Sequence, residues 1–406
     1  MIQLFKMALR DLGRNRRRSF FSALALGIGL ALLLLIAAVI AGEMRGSMET
    51  AIRLQSGHLQ VRAKSYDENK TSLAWEDLIE NPGQVAAQIA ALEPVQAATP
   101  RLFATGIVAT GDETSGARIV GVDTASEANA PYRDGLVSGE FLKADDREGI
   151  LIGQPLANKR GLSAGDTVNL MVNTSNGDVD EQPFVIRGIY STRTPGIDEV
   201  TVLMPLAKAQ AFAQAGDHAS TIFILLKDRD QASAVVDALQ TSQYQVLTFE
   251  QMNDLLVQTE ALAGGYMVVI YLIVLAITAT VIVNTLIMAV FERTREIGIL
   301  AAIGMKGRRI MAMFFAESSL LAVGGIAIGL VLGGLMVVYA STVGFYIGDF
   351  GVNPTMALGD TIYAYLTPGD AVTLTALAFV VTLLAALYPA LLAARMEPVE
   401  ALRGGQ

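Results

Sequence analysis

Cysteine is absent from the 406 residues, histidine occurs twice and tryptophan once. Without thiolates the chain has no disulfide and no cysteine-ligated zinc site, and two histidines, His58 and His218, exclude a histidine-rich metal centre. Charge is scarce as well. Only 17% of residues are charged against 52% hydrophobic, with a mean hydropathy of +0.45, whereas a soluble domain carries about 25% charged residues. The sequence has no H-E-x-x-H, no C-x-x-C and no G-x-x-x-x-G-K-[ST] phosphate loop, so neither metalloprotease chemistry nor nucleotide binding is expected on this chain. Lys and Arg are missing from one entire connection, Ser341–Asp370, which holds only Asp349, Asp360 and Asp370.

What is present is hydrophobic length. Four runs, Phe20–Gly42, Tyr266–Phe291, Ile310–Ala340 and Ala371–Ala394, each reach the roughly 20 residues that cross about 30 Å of hydrocarbon as a helix. The first is too long for a signal-peptide core and lacks a clean cleavage site, so it reads as a retained anchor. Basic residues mark the cytoplasmic side. Lys6, Arg10, Arg14, Arg16, Arg17 and Arg18 precede the first run; Arg293, Arg295, Lys306, Arg308 and Arg309 lie between the second and third; Arg395 and Arg403 follow the fourth. Both termini are therefore expected in the cytoplasm of a multi-pass inner-membrane protein, with a large domain outside.

The expected order is a cytoplasmic segment 1–19, span 20–42, an extracytoplasmic domain with stalks 43–265, span 266–291, and a cytoplasmic segment 292–309. Span 310–340, an outer loop 341–370, span 371–394 and a tail 395–406 complete it. The large outer connection carries most of the net charge of −9, which argues against a nucleic-acid partner.

Within that connection the first helix is expected to continue as a stalk to about Leu54 and break at Gly57. His58–Arg62, Leu102–Thr110, Arg118–Val122, Ile150–Ile152, Thr167–Val172, Phe184–Tyr190, Thr221–Lys227 and Gln245–Leu247 alternate or cluster like strands. Helices are expected at Gln84–Leu92 and Gln231–Leu239, and Asn176-Gly177 suits a tight hairpin turn. The two β–α–β stretches predict an α+β domain: a split βαβ part into which a β-rich block, Gly139–Pro205, is inserted. Thr248 with Gln251 has the spacing of a capping box that starts a second stalk.

Few residues carry chemistry. Asp145-Asp146 and Asp178–Glu181 fall in turn-like polar stretches and read as solvated loops. Gly325, Gly329 and Gly333 place small residues on one face of the third span, a helix-packing surface either within the chain or across a dimer. Glu317 lies about seven residues into that span, roughly 10 Å by helical rise, and is expected to pair with Arg308 or Arg309. Asn284 reads as an interhelical hydrogen bond in the second span. Phe345, Tyr346, Phe350, Tyr363 and Tyr365 have the density of an interfacial aromatic belt. The charged segment Glu292–Gly304 combines Arg293, Arg295 and Glu296 with Ile297, Leu300 and Ile303 as one apolar stripe of a short helix, which a loop needing only positive charge would not require.

The stretch RTREIGILAAIGMKGRRI, followed by a span containing Glu317, resembles the signature of MacB/LolC/FtsX-type ABC transporter permeases. LIGQPLANKRGLSAGDTV (Leu151–Val168), PFVIRGIYST (Pro183–Thr192) and YPALLAARMEPVEALR (Tyr388–Arg403) resemble other parts of that family, and the layout is most similar to its lipoprotein-releasing LolC/LolE branch. The resemblance implies a non-catalytic permease paired with a second permease as homo- or heterodimer. It also implies a separate cytoplasmic ABC ATPase that binds ATP and Mg, so no cofactor belongs to this chain. Arg293, Arg295, Glu296, Ile297, Gly298, Ile299, Leu300, Ile303 and Gly304 would form the coupling element on that ATPase, and mechanotransmission would move the periplasmic domain. The implied function is extraction or export of a lipoprotein, lipid or other hydrophobic substrate, with membrane lipids and a periplasmic carrier as partners. The alternatives are an FtsX-like regulator of a cell-wall hydrolase and a MacB-like efflux unit with an adaptor. The polar, acidic hairpin tip Asn173–Glu181 departs from an apolar chaperone-grasping hook.

Overall fold

The computed structural model describes residues 10, 13, 14, 16–67, 73–111, 113–239, 244–347 and 359–396. The chain divides into a helical unit (Met1–Glu43, Glu260–Phe345 and Tyr363–Gln406) and an α+β unit (Met44–Thr259 and Tyr346–Ile362).

Four helices dominate the helical unit: Arg16–Thr50, Asp254–Glu292, Gly307–Thr342 and Pro368–Ala394. All four are long and apolar enough to cross a membrane. Their inward faces meet around Leu30, Leu33, Leu34, Leu275, Leu374 and Ala378. Val268, Leu272, Ile273 and Ile277 of the second helix stay more than half exposed, the pattern of a surface solvated by lipid rather than water.

The glycine face of the third helix packs inside the chain, against the first helix. A Cβ on Gly325 would come within 2.5 Å of Leu26, one on Gly329 within 2.8 Å of Leu30, and one on Gly333 within 3.0 Å of Ala31. Backbones approach this closely only where side chains are missing. Asn284 stands apart. It is exposed, because Ile282 and Leu286 hold the inward face of that helix and a residue two positions from Ile282 is turned about 200° away. Expected between helices, it is not packed among those of this chain.

The α+β unit is built on ten strands: β1 (Leu59–Ala63), β2 (Val95–Thr110), β3 (Glu113–Val122), β4 (Leu136–Gly139), β5 (Gly149–Gly153), β6 (Thr167–Asn173), β7 (Val179–Tyr190), β8 (Thr201–Pro205), β9 (Thr221–Leu226) and β10 (Tyr244–Thr248). At one end the order β10-β1-β9-β2 interleaves two βαβ units. Their helices, Pro82–Ala90 and Ala232–Leu239, contribute Ile89 and Val235 to a core with Leu59, Val61, Ile222 and Ile224. This is the split βαβ fold expected from the alternation.

The inserted part is more than a set of hairpins. β2 pairs β3, β3 pairs β8, β8 pairs β5, β5 pairs β7, β7 pairs β6, and β6 returns to β2. Six strands thus close into a ring filled by Leu102, Ile119, Ile150, Leu170, Phe184 and Met204, and closure removes the sheet edges that would otherwise template association. The ring borrows β2 and β3, which both precede Gly139, so the insertion does not begin there. The predicted GDETSG turn also contracts, since pairing runs out to Thr110 and Glu113.

The β6–β7 turn forms at Asn176-Gly177, with Gly177 at φ +85°. Its tip is tied down: Ser175 N–H donates to the Ala213 carbonyl at 2.9 Å, Asn176 Nδ2 to Gln214 Oε1 at 2.7 Å, and Trp75 Nε1 to Ser175 Oγ at 2.7 Å. The capping box is present, with Gln251 N–H donating to Thr248 Oγ1 and Thr248 N–H donating to Gln251 Oε1. The helix it starts lasts only from Phe249 to Met252, however. Asn253 (φ −121°, ψ 42°) interrupts it before the long helix begins at Asp254.

Candidate coupling site

The segment between the second and third long helices folds as a nine-residue helix, Thr294–Ala302. Its end is set by Gly304 at φ +93°. Gly304 N–H donates to the Ala301 carbonyl and Met305 N–H to the Leu300 carbonyl, each at 3.0 Å. This Schellman arrangement reverses the chain and needs a residue without Cβ at that position.

The nine expected coupling residues divide between two faces. Arg293, Ile297 and Gly298 are buried, and Ile297 packs with Val290, Ile310, Phe314, Ala390 and Ala393. Arg295, Glu296, Ile299, Ile303 and Gly304 are exposed, and Leu300 is intermediate. Ile297, Leu300 and Ile303 therefore do not form one stripe. Six residues of helix turn about 240° beyond a full rotation, which carries Ile303 away from Ile297. The outward apolar pair is Ile299, 48% exposed, and Ile303, 77% exposed, flanked by Arg295 and Glu296.

Glu317 pairs with Arg293 rather than with Arg308 or Arg309. Arg293 Nη1 lies 3.6 Å from Glu317 Oε2, and both side chains are almost fully buried. Arg309 sits about 12 Å away along the same helix axis and is exposed with Arg308. Arg293 comes from a different element and can close the distance. Truncating one partner of such a buried pair costs about 3–5 kcal/mol, because the other charge is left uncompensated. The outer surface is tied to the N-terminal basic segment too: Arg14 Nη2 meets Glu296 Oε1 at 2.6 Å, and Arg18 pairs with Glu292. Spacing alone gave no sign of these partners, which lie more than 250 residues apart in sequence.

In the α+β unit a second arrangement secures the end of the first helix. Its last residues, Ala51–Ser56, widen into a π-helical turn that stops at Gly57 (φ +69°). The freed carbonyl of Leu54 accepts from Arg101 Nη1 at 3.0 Å and from the Tyr132 hydroxyl at 3.4 Å. Arg101 is fully buried, lies 3.6 Å over the Phe223 ring, and is pushed down to about 10 by burial. The negative end of the helix supplies compensating charge where no carboxylate bridges to it among the described residues.

Other polar groups have structural roles. His58 Nδ1 accepts the Leu226 N–H at 3.1 Å, and burial holds its pKa down. His218 stacks on Trp75. Asp146 caps the turn before β5 and bonds Arg187 at 2.8 Å. Gly161–Gly165 has the G-x-S-x-G spacing of a nucleophile elbow, but Ser163 is exposed in a turn that leads into β6, not on a strand-to-helix elbow. Phe345, Tyr346, Tyr363 and Tyr365 are exposed; Phe350 and residues 397–403 of the C-terminal signature lie outside the described residues.

Residues 19–242 match the MacB-like periplasmic core domain family, and residues 268–398 match the FtsX-like permease C-terminal family. The lipoprotein-releasing system transmembrane protein LolE of Haemophilus influenzae is 23% identical over 399 residues, which cover 94% of this chain and 93% of that protein. LolC of Xylella fastidiosa, of the same releasing system, is 24% identical over 98% of both chains. The macrolide export ATP-binding/permease protein MacB of Rhodospirillum rubrum is 26% identical over 98% of this chain but only 60% of its own length. Four apolar helices, a MacB-like periplasmic domain and an FtsX-like C-terminal region make this chain a member of the MacB/LolC/FtsX family of ABC transporter permeases.

Proposed function

We propose that the chain is a mechanotransmitting permease. A cytoplasmic ABC ATPase docks on the outward face of Thr294–Ala302, and its nucleotide-driven closure is passed to the periplasmic domain. The observation that carries this reading is the exposed pair Ile299 and Ile303 on a helix whose opposite face is locked into the helical unit. Apolar side chains held outward on the nine-residue helix and its C-cap residue Ile303, bordered by Arg295 and Glu296, have the form of an interface core with a polar rim. Each long helix next to the α+β unit continues past the boundary between the units without a break, Arg16–Thr50 at residue 43 and Asp254–Glu292 at residue 260.

The substrate we favour is a lipoprotein or another lipid-linked, hydrophobic molecule taken from the outer leaflet of the inner membrane. Similarity to LolE and LolC over 93% and 98% of their lengths supports this reading. The β6–β7 tip, polar and tied to Ala213–Gln214, argues that any carrier is engaged elsewhere than on a projecting apolar hook.

Substituting Ile303→Asp places a charge at the centre of the docking face. Stimulation of the ATPase by the permease should then fall at least about tenfold, the effect of losing an interface anchor, while the helical unit keeps its melting temperature. Full stimulation by that variant would overturn the docking assignment. Lipid and lipoprotein analysis of material co-purified from native membranes tests the substrate.

A further inference from the structure

A cleft of about 660 Å³ opens in the α+β unit, and no contact described so far uses it. Its size is that of a small-molecule site. Gln55 and Ser56 reach it from the π-helical turn, Met252 and Asn253 from the break before the second long helix, and Phe103, Thr105, Gly116 and Arg118 from the β2–β3 pair. π-Helical turns concentrate at functional sites, and here the turn supplies part of the wall.

Arg118 is the informative residue. In the ladder it stands opposite Thr105, and its guanidinium lies 4.2 Å over the Phe103 ring. Among the described residues no carboxylate bridges to it, although the chain as a whole is acidic. Stacking on an aromatic face fixes the plane of an arginine and leaves its donor edge free for a planar or tetrahedral anion. Val200 and Met252 add apolar surface to the lining, and the buried Leu73 and Leu78 border it. Gly116 leaves open space where a Cβ would project. Asp67 and Asp77 line the same cleft together with Arg62, so the lining apart from Arg118 is acidic by one charge and disfavours a ligand carrying more than one negative charge.

We propose that this cleft binds a small amphiphilic monoanion, a carboxylate or phosphodiester on a short apolar body, with the anion on Arg118 and the body against the apolar part of the lining at Val200 and Met252. Such an occupant touches the ends of both chain segments that lead into the unit, so its presence would be felt where the two helices arrive. The site stands on the geometry of the α+β unit alone and does not depend on the ATPase docking described above.

The test exploits the absence of cysteine. Gly116→Cys puts one thiol in the cleft, and Ala91→Cys, at an exposed site, is the remote control. The full chain, in phosphatidylcholine nanodiscs, is labelled with a maleimide in the presence of octanoate or dibutyl phosphate. Octanoate stands for a fatty carboxylate and dibutyl phosphate for a lipid headgroup diester. Either probe, or both, should slow labelling of Gly116→Cys saturably and leave Ala91→Cys unchanged, and which one protects identifies the source. Acetate and octanol, head and body alone, should protect much more weakly. Adding Arg118→Gln should raise the half-protecting concentration about tenfold or more, as loss of a charge-assisted contact does. Arg118→Lys should recover part of it. Labelling of Gly116→Cys that neither probe slows, or protection indifferent to Arg118→Gln, overturns the proposal.

Discussion

At the scale of single residues, the buried ionisable groups of the α+β unit separate into clamps and costs. Arg101 is a clamp, holding a helix-end carbonyl. Asp198 is a cost: burial pushes its carboxyl up to about 6, even though the Thr192 N–H donates to it at 2.8 Å and the Thr192 hydroxyl at 2.6 Å. A carboxyl whose folded pKa lies above its unfolded value favours folding fully at low pH. That contribution is lost as pH rises through about 6. Asp198→Asn removes the titration, so the variant should gain on the wild type between about pH 4 and pH 7 by about 2 kcal/mol. The measurement is the urea midpoint reported by Trp75, the single tryptophan. A wild-type-minus-variant difference that does not change with pH would refute the assignment. Neither role was legible in the sequence, where Arg101 and Asp198 look like surface charges; burial comes from strands and helices that meet only in the fold.

At the scale of elements, legibility followed locality. β1, β5, β6 and β9 were readable from alternation or apolar runs, and the Thr248–Gln251 box from a three-residue spacing. Ring closure through β2 and β6 was not, because it pairs residues 106–109 with 169–172 and no local pattern encodes that. The stripe Ile297-Leu300-Ile303 failed for a different reason: the residues were apolar, but the helical period puts them on different faces. The glycine seam was legible as a packing face, and the structure gives it an intrachain partner. Gly329 and Gly334 separate packing from composition. Gly329→Leu collides with Leu30 and the Gly27 carbonyl, whereas a Cβ on Gly334 meets nothing within 4 Å. Overpacking of about 1–3 kcal/mol should lower the melting temperature of the purified Gly329→Leu chain and spare Gly334→Leu. Equal behaviour of the two would show that the seam is not a constraint.

At the scale of the whole molecule, sidedness decides whether the helix Thr294–Ala302 can meet a cytoplasmic ATPase at all. The charge pattern argues that it does. Five basic residues, Arg293, Arg295, Lys306, Arg308 and Arg309, flank that helix, and the connection Ser341–Asp370 at the other end of the third long helix has none. Basic loops of this length are retained in the cytoplasm, and the reverse insertion would carry all five across while holding an acidic loop back. The exposed end of the short helix and the MacB-like periplasmic domain should then face opposite compartments. With no native thiol to interfere, Ala302→Cys and Ala91→Cys, both at exposed positions, report each side separately. In spheroplasts an impermeant maleimide should label Ala91→Cys at once and reach Ala302→Cys only after the membrane is broken. Labelling of Ala302→Cys in intact spheroplasts would put the proposed docking face outside the cell and remove the basis for coupling, whatever the family resemblance.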